Sequence, residues 1–403
     1  TKEIITMLKT QIIGCGAAGN KAVINLIEKN YLGEDVSYFL VNSTDRDIPA
    51  EYRNKSMIFG NSIYSGGCGK ERSLGKQLLL EDDRNGIRNI DHRIDGSADF
   101  ITICGSTEGG SGSASMPLIA KYIKQVLHIP VIVVLFFGFN DDARGMQNSI
   151  EVCQELDDDI GVISICNSKF KTGNKFKSES QANDHFGKIM RVLVGKDIHE
   201  STQNIDDTDL KKLVLTPGYM SIQIIEFPTS LKTTDQFNQF IDSAIDVESK
   251  SMESPNPSCK RLGVIFNVKN NNDNFDYSCS IAKQRFGNPY ELFIHVQEND
   301  VQSVTIIAVG QNLPLEEVEN IYNEYKKASA AVNRDKDKFF ETMNAFKGNP
   351  DDGAFNMFGN SSNKSNIDQD KASFFKDFGI DLKSSSKDIS ISGGKAPKKV
   401  NSC

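Results

Sequence analysis

The sequence predicts an α/β protein whose main sheet is mostly parallel and covered by helices on both faces. Short apolar runs alternate with segments of helical spacing through the first half of the chain. Those runs are apolar on both faces, as strands of a doubly covered sheet must be. Glycine- or serine-rich loops stand at 14–20, 65–70 and 105–117, and ligands in such sheets bind at the carboxyl ends of the strands.

The elements follow in order. "TQIIGCG", "VSYFLVN", "ADFITICGS", "PVIVVLFF" and "GVISICN" read as strands. "KAVINLIEKN", "RSLGKQLLLED", "SMPLIAKYIKQVL" and "ARGMQNSIEVCQELDDD" fall between them with helical spacing. A long helix is expected over 181–199, leading straight into the acidic stretch "QNIDDTDL" at 203–210. From about 220, "YMSIQIIEF", "RLGVIFNVKN", "YELFIHVQEN" and "VQSVTIIAVG" read as strands and "QFNQFIDSAIDVESKSM" as a helix. They make a smaller α/β domain with a mixed sheet. One long helical pattern fills 314–347, with Pro314 at its start and Gly348 at its stop. The remainder is rich in Gly, Asn, Ser, Asp and Lys and is expected to be disordered. Its basic end holds Lys383, Lys387, Lys395, Lys398 and Lys399 against Asp388. The expected divisions are 1–180, 181–215, 216–312, 313–348 and 349–403.

Composition narrows the classes. A net charge of -8 argues against general nucleic-acid binding. An apolar fraction of 38% suits an ordered body with a polar tail. The eight cysteines form no C-x-x-C pair and His is scarce, which disfavours a zinc site. They read as small buried hydrophobes in a reducing compartment. No apolar run approaches the ~18 residues of a membrane span, and no signal peptide is apparent.

Chemistry concentrates in the loops. In "GCGAAGN" a glycine-rich turn between strand and helix lets backbone N–H groups approach phosphate, aided by the helix dipole. In "GSTEGGSGSASMP", Gly109, Gly110 and Gly112 allow close backbone approach, and Ser111 and Ser113 add hydroxyls. Two such cradles suit a polyphosphate, and no G-x-x-x-x-G-K-[ST] motif is present. Asp206, Asp207 and Asp209 repel one another unless a cation, water or substrate uses them.

These stretches carry a resemblance. "EGGSGSA" at 108–114 resembles the tubulin/FtsZ signature, departing at Glu108, Ser111 and Ala114. "GCGAAGNKAV", "LVNSTD", "LFFGFNDDAR", "QAND", "NIDDTDL", "GVIFNV" and "VTIIAVG" resemble the other family motifs, in family order from about 9 to 310. The resemblance implies a tubulin/FtsZ-like fold: a nucleotide-binding domain with a parallel sheet, a long central helix and a smaller mixed-sheet α/β domain. It implies GTP or GDP with Mg²⁺. Gly14, Gly16, Ala17, Ala18, Asn20 and Lys21 would line the phosphates, with Gly109, Gly110, Ser111, Gly112 and Ser113 at the β- and γ-phosphates. Gly66, Gly67 and Gly69 would sense the γ-phosphate. Asn42 and Asp45 would lie near the metal and phosphate, Asp45 being the one side chain that could touch the metal. Asn140 and Arg144 would lie near the ribose and base, with Asp141 or Asp142 as alternative ribose contacts. Asn183 would read guanine. The family's stacking aromatic aligns with Glu179, and Phe176 could replace it.

In this superfamily the N-x-D-x-x-D loop enters the GTP site of the next subunit in a head-to-tail protofilament. Asn204, Asp206 and Asp209 match it, so hydrolysis would need assembly, with Asp207 a solvated bystander. The long helix and basic tail resemble the TubZ group, which segregates plasmid or phage DNA in the bacterial cytoplasm. There the C-terminal tail contacts a DNA-binding adaptor at a centromere-like site, with no direct sequence-specific DNA contact and no membrane partner. A divergent FtsZ-like division protein, or a phage tubulin without an adaptor, is the alternative. A nucleotide-dependent scaffold without turnover and a Rossmann-type oxidoreductase are further alternatives. The last does not account for the second cradle or for "NIDDTD".

Overall fold

The structure, a computed structural model, describes residues 7–60, 66–199, 205–231, 233–252, 258–269 and 279–329. β1 (Thr10–Cys15), α1 (Gly16–Glu28), β2 (Ser37–Asn42) and β3 (Ser56–Ile58) open the chain. α2 (Arg72–Glu81), β4 (Phe100–Ser106), α3 (Ser111–Tyr122), β5 (Val131–Phe137), α4 (Ala143–Glu155) and β6 (Gly161–Cys166) follow. Then come α5 (Lys175–Leu193), α6 (Asp207–Val214), β7 (Gly218–Glu226), α7 (Thr234–Glu248) and β8 (Arg261–Val268). α8 (Ser280–Phe286), β9 (Glu291–Glu298), β10 (Ser303–Gln311) and α9 (Leu315–Ser329) complete the described chain.

All ten strands share one sheet, in the order β3-β2-β1-β4-β5-β6-β7-β10-β8-β9. Strands β1 to β6 pair in parallel, in keeping with the largely apolar strands of a sheet covered on both faces. β7 joins β6 in parallel along Gly161–Ile163. This short ladder makes the strands of the second region an extension of the first sheet. Beyond it, β10 is antiparallel to β7 and β8, and β9 is parallel to β8, so this part is mixed.

Alternation divides the second region between two cores. Ile265 of β8 and Ile307 and Val309 of β10 join the core shared with α5 and α6. Leu262, Val264 and Phe266 of β8, with Val304, Ile306 and Ala308 of β10, pack with residues of α7 and α8. A side-chain period of two places successive residues on opposite faces.

Helix α5 begins six residues before the expected 181 and ends before 199. Its start is set by Asn174, whose side chain accepts the N–H of Lys177 at 3.2 Å. Apolar spacing starts only at Ala182, which hid the polar first turns. Its stop is set by Gly195 in the left-handed region (φ 72°). Lys175 pairs with Asp141, which follows β5, and the carbonyl of Val194 accepts the N–H of Leu8, which precedes β1. The helix thus runs the full height of the parallel sheet, about 28 Å at 1.5 Å per residue. Phe186 at its centre is fully buried, edge-to-face with Phe136 at 5.8 Å. The expected helix 314–347 is present as α9, packed on α4, and the rest of that expectation and the tail lie outside the described residues. No described helix is long and apolar enough to cross a membrane.

Phe186→Ala is expected to destabilise the fold by about 3–5 kcal/mol in chemical denaturation, the usual cost of emptying a buried phenylalanine site. His185, beside it, is held neutral by burial and by Lys188 and Lys250, with its pKa down at about 4 against 6.5. The unfolded chain takes up that proton first, so stability is expected to fall as pH drops from 6.5 toward 4. His185→Phe is expected to flatten that limb.

Candidate functional site

The strand order reverses between β1 and β4: β2 and β3 lie to one side, β5 and β6 to the other. Such a switch point opens a crevice at the carboxyl ends of the strands. The amino termini of α1 and α3 emerge there side by side. Gly16 has φ 70°, and a Cβ on it would lie 2.7 Å from the Gly112 nitrogen. The two glycine loops touch backbone to backbone. A Cβ on Gly110 would lie 2.3 Å from the Gly69 carbonyl oxygen, which accepts the Gly110 N–H at 3.1 Å. Ser43, just past β2, ties the rest together. Its Oγ lies 2.6 Å from Ser111 Oγ and accepts the Cys68 N–H at 3.2 Å. From α4, the Asn148 amide donates to the carbonyls of Lys70 and Glu108 at 3.0 Å and of Gly109 at 3.3 Å.

The loops after β1, β2 and β4 and the 66–69 loop thus form one backbone-lined floor. Two helix dipoles end on it, which favours an anion. Asn20 is fully buried with neither polar atom of its side chain hydrogen-bonded, and the Asn42 Nδ2 is also buried and unbonded. Buried polar groups without partners are costly. A ligand with phosphate and polar base atoms would supply them, so the residues fit a nucleotide.

The other expected residues distribute unevenly. Ala17 is half-buried and Ala18 exposed at the start of α1, and Lys21 is exposed one turn on. Gly14 lies inside β1, where a Cβ would meet the Gly19 carbonyl oxygen at 2.9 Å, so its smallness serves helix–strand packing. Gly66 and Gly69 are exposed and Gly67 half-buried, in the same loop as Cys68. The Ser113 hydroxyl donates back to the Gly109 carbonyl and braces the loop from within. Asp45 is exposed, its carboxylate 3.6 Å from Arg53. Among the described residues no group of three or more His, Cys, Asp or Glu could hold a metal ion. Asn140, in the left-handed region, donates its amide to Glu324 of α9 at 3.1 Å. Arg144, in the first turn of α4, is exposed and 2.8 Å from Glu71. Asn183 is half-buried, next to Asp184, which accepts from Asn25 of α1 at 3.0 Å. Phe176 is 82% exposed, an aromatic face left open near the end of β5, while Glu179 is half-buried.

Glu108 explains one departure from the family signature. A Cβ on Gly138 would fall 2.3 Å from the Glu108 Cδ, and one on Gly145 would fall 3.2 Å from its Cβ. The carboxylate occupies space that only two glycines leave, and accepts the Asn140 N–H at 3.0 Å. Burial raises its pKa, which that hydrogen bond and Lys70 oppose. Nothing in the linear sequence links 108 to 138 and 145. Burial pushes the thiols of Cys15 and Cys153 up to about 12.

The acidic stretch lies elsewhere. Asp206 caps α6, its Oδ1 accepting the Asp209 N–H at 2.8 Å. The stretch read as a loop is a helix start, and its dipole offsets part of the carboxylate repulsion without any ligand. Asp206 and Asp207 are exposed. Asp209 is half-buried, its pKa raised by burial and by the Asp206 charge. Asn204 lies outside the described residues. Lys211 of α6 donates to Asp99 at 2.8 Å, and Asp99 also accepts the Lys9 N–H at 2.9 Å. Residues 9 and 99 immediately precede β1 and β4, so α6 docks at the amino ends of the strands whose carboxyl ends carry the glycine loops. A strand of this length spans about 20 Å, too far for a side chain to reach its own floor.

Residues 9–174 match the family model for the Tubulin/FtsZ family, GTPase domain. Tubulin-like protein CetZ2 of Haloferax volcanii is 26% identical over 180 residues, 43% of this chain and 49% of that protein. Cell division protein FtsZ of Wigglesworthia glossinidia brevipalpis is 26% identical over 227 residues, 54% and 56% of the two chains. The chain thus spans about half the length of the curated relatives it matches. The fold is similar to that of TubZ from Bacillus thuringiensis serovar israelensis, solved as a GTPγS-form protofilament. The TM-score is 0.65 at 15% identity, covering 82% of this chain and 94% of that one. Both glycine loops lie inside the matched span, so residues 9–174 carry a GTPase domain of the Tubulin/FtsZ family.

Proposed function

We propose that this protein is a GTP-dependent, self-assembling filament protein that hydrolyses GTP between successive copies of itself. The observation that carries the reading is the separation of the two sites. The phosphate-binding floor lies at one end of β1 and β4 and the acidic turn at the other. A copy stacked head to tail brings its Asp206 to the floor of the next, and such a heterologous contact leads to an open polymer. In this reading residues 1–180 bind GTP, 181–215 join the floor to the acidic turn, and 216–312 support that turn.

Gly16, Ala17 and Ala18 and the 109–112 loop hold the phosphates through backbone N–H groups. Gly66, Gly67 and Gly69 face the γ-phosphate end. Asn20 and Asn42 supply amide contacts, Arg144 and Asn140 lie toward the ribose, and Asn183 and Phe176 toward the base. Mg²⁺, held chiefly by the phosphates with Asp45 alongside, would offset their charge. Asp206 and Asp209 of the neighbouring copy orient the water that attacks the γ-phosphorus as its bond to the bridging oxygen breaks, giving GDP and phosphate. Positioning and charge stabilisation carry most of such a reaction.

The cellular role we infer is segregation of plasmid or phage DNA in the bacterial cytoplasm, with a DNA-binding adaptor held by the C-terminal region. The similarity of fold to TubZ supports it. A division-type filament is the second reading, favoured by the sequence identity to FtsZ.

Gly16→Ala is expected to weaken GTP binding about tenfold or more by equilibrium titration. Left-handed strain of about 1–2 kcal/mol adds to the overlap with Gly112. Turnover per molecule is expected to rise steeply with protein concentration, tracking light scattering. Asp206→Asn keeps an acceptor for the Asp209 N–H while removing the charge. It is expected to assemble with GTP but turn over roughly 10²–10³-fold more slowly. Turnover per molecule that stays constant on dilution would contradict the two-copy site.

A further inference from the structure

The acidic turn is held from within by a buried polar chain that neither the glycine loops nor the two-copy reading uses. His295 of β9 is fully buried. Its Nδ1 accepts the backbone N–H of Ile205 at 3.2 Å, one residue before Asp206. That acceptance fixes the tautomer, with the proton on Nε2, which donates to Gln297 Oε1 at 2.9 Å. The same oxygen accepts the His199 N–H at 2.9 Å. The Gln297 amide donates to the Asp197 carbonyl at 2.7 Å and to Asn267 Oδ1 at 2.6 Å. Asn267 in turn donates to Ser303 Oγ at 2.9 Å. β9 thus holds Asp197, His199 and Ile205 directly, and Asn267 of β8 and Ser303 of β10 back its Gln297.

A leucine or valine would fill a core-facing strand position without the cost of burying an imidazole. The network is saturated, and a saturated buried network rigidifies and specifies one arrangement. Burial lowers the His295 pKa, so the ring stays neutral and Nδ1 stays an acceptor. Consecutive Cα atoms are about 3.8 Å apart, so fixing the backbone of Ile205 fixes the origin of the Asp206 side chain.

We propose that His295 is a positioning residue for the acidic turn: by holding the Ile205 N–H it sets where the Asp206 carboxylate is presented to a second copy of the chain. The proposal rests on the two-copy reading of Asp206.

The test uses the full chain, wild type, His295→Leu and His295→Asn. Asparagine keeps a side-chain acceptor near the Nδ1 position, whereas leucine fills the space without one. Hydrogen exchange of the peptide containing Ile205 is measured by mass spectrometry, GTP affinity on dilute protein, and turnover on assembled protein. In His295→Leu the Ile205 amide is expected to exchange about tenfold faster, as expected for one lost buried hydrogen bond. Assembled turnover should fall by a similar factor while GTP affinity in dilute solution stays unchanged. His295→Asn is expected to restore most of both the protection and the turnover. Unchanged exchange in His295→Leu overturns the proposal, as does lost protection with full turnover. If both variants lose turnover alike while Asn retains protection, the role is structural and the proposal fails. Wild-type turnover that does not depend on concentration is a separate failure, that of the two-copy reading, and the exchange data still report whether His295 holds Ile205.

Discussion

Everything at the candidate site depends on one close contact, that of Gly16 with Gly112. β1 and β4 are neighbours in the sheet, and each feeds a helix across the same crevice. Two helix amino termini can converge there only if their loops carry no side chains at the meeting point. A Cβ at Gly16 would stand 2.7 Å from the Gly112 nitrogen, and one at Gly112 would stand 2.7 Å from the Cys15 carbonyl oxygen. Convergence aims two dipoles and two sets of unpaired N–H groups at one place. Ser43, between Ser111 and Cys68, extends the floor to two further loops.

The second constraint is the height of the sheet. α5 runs from the glycine-loop end to the opposite end and delivers the chain to α6, where Lys211 and Asp99 dock it. The phosphate floor and the acidic turn are separated by the length of a strand. In the reading proposed above, stacking copies head to tail bridges that separation. Beside the role proposed for it, Asp206 caps α6. A capped helix start is a rigid mount, and a carboxylate there is partly stabilised before any partner arrives.

The polar groups below the surface show two kinds of accounting. Around Asp206, the chain from Ser303 through Gln297 and His295 to Ile205 satisfies itself. At the floor, Asn20 and Asn42 keep buried polar atoms without partners. One region is complete as folded, and the other is shaped for something it must receive. Asn140 lies where the two concerns meet: its N–H is held by Glu108 and its amide by Glu324 of α9, so the last described helix touches a loop of the site.

The sequence by itself determined the strand–helix alternation, the parallel character of five of the first six strands and the two glycine loops. Each is a local matter of hydrophobic period or of backbone room, written in consecutive residues. It also placed the acidic residues, though as a loop and not as the capped start of α6, because an eight-residue helix offers too little period to read. Short β3 and α8 escaped for the same reason, and polar first turns hid the start of α5 until Asn174 was seen as its cap. Only the tertiary structure decided that Glu108 fits because Gly138 and Gly145 leave space, that Ser113 turns inward, and that β7 fuses both regions into one sheet. It alone put His295 beneath Ile205, ninety positions away in the chain. Such contacts join residues whose spacing in sequence carries no period, so packing and hydrogen-bond saturation decide them.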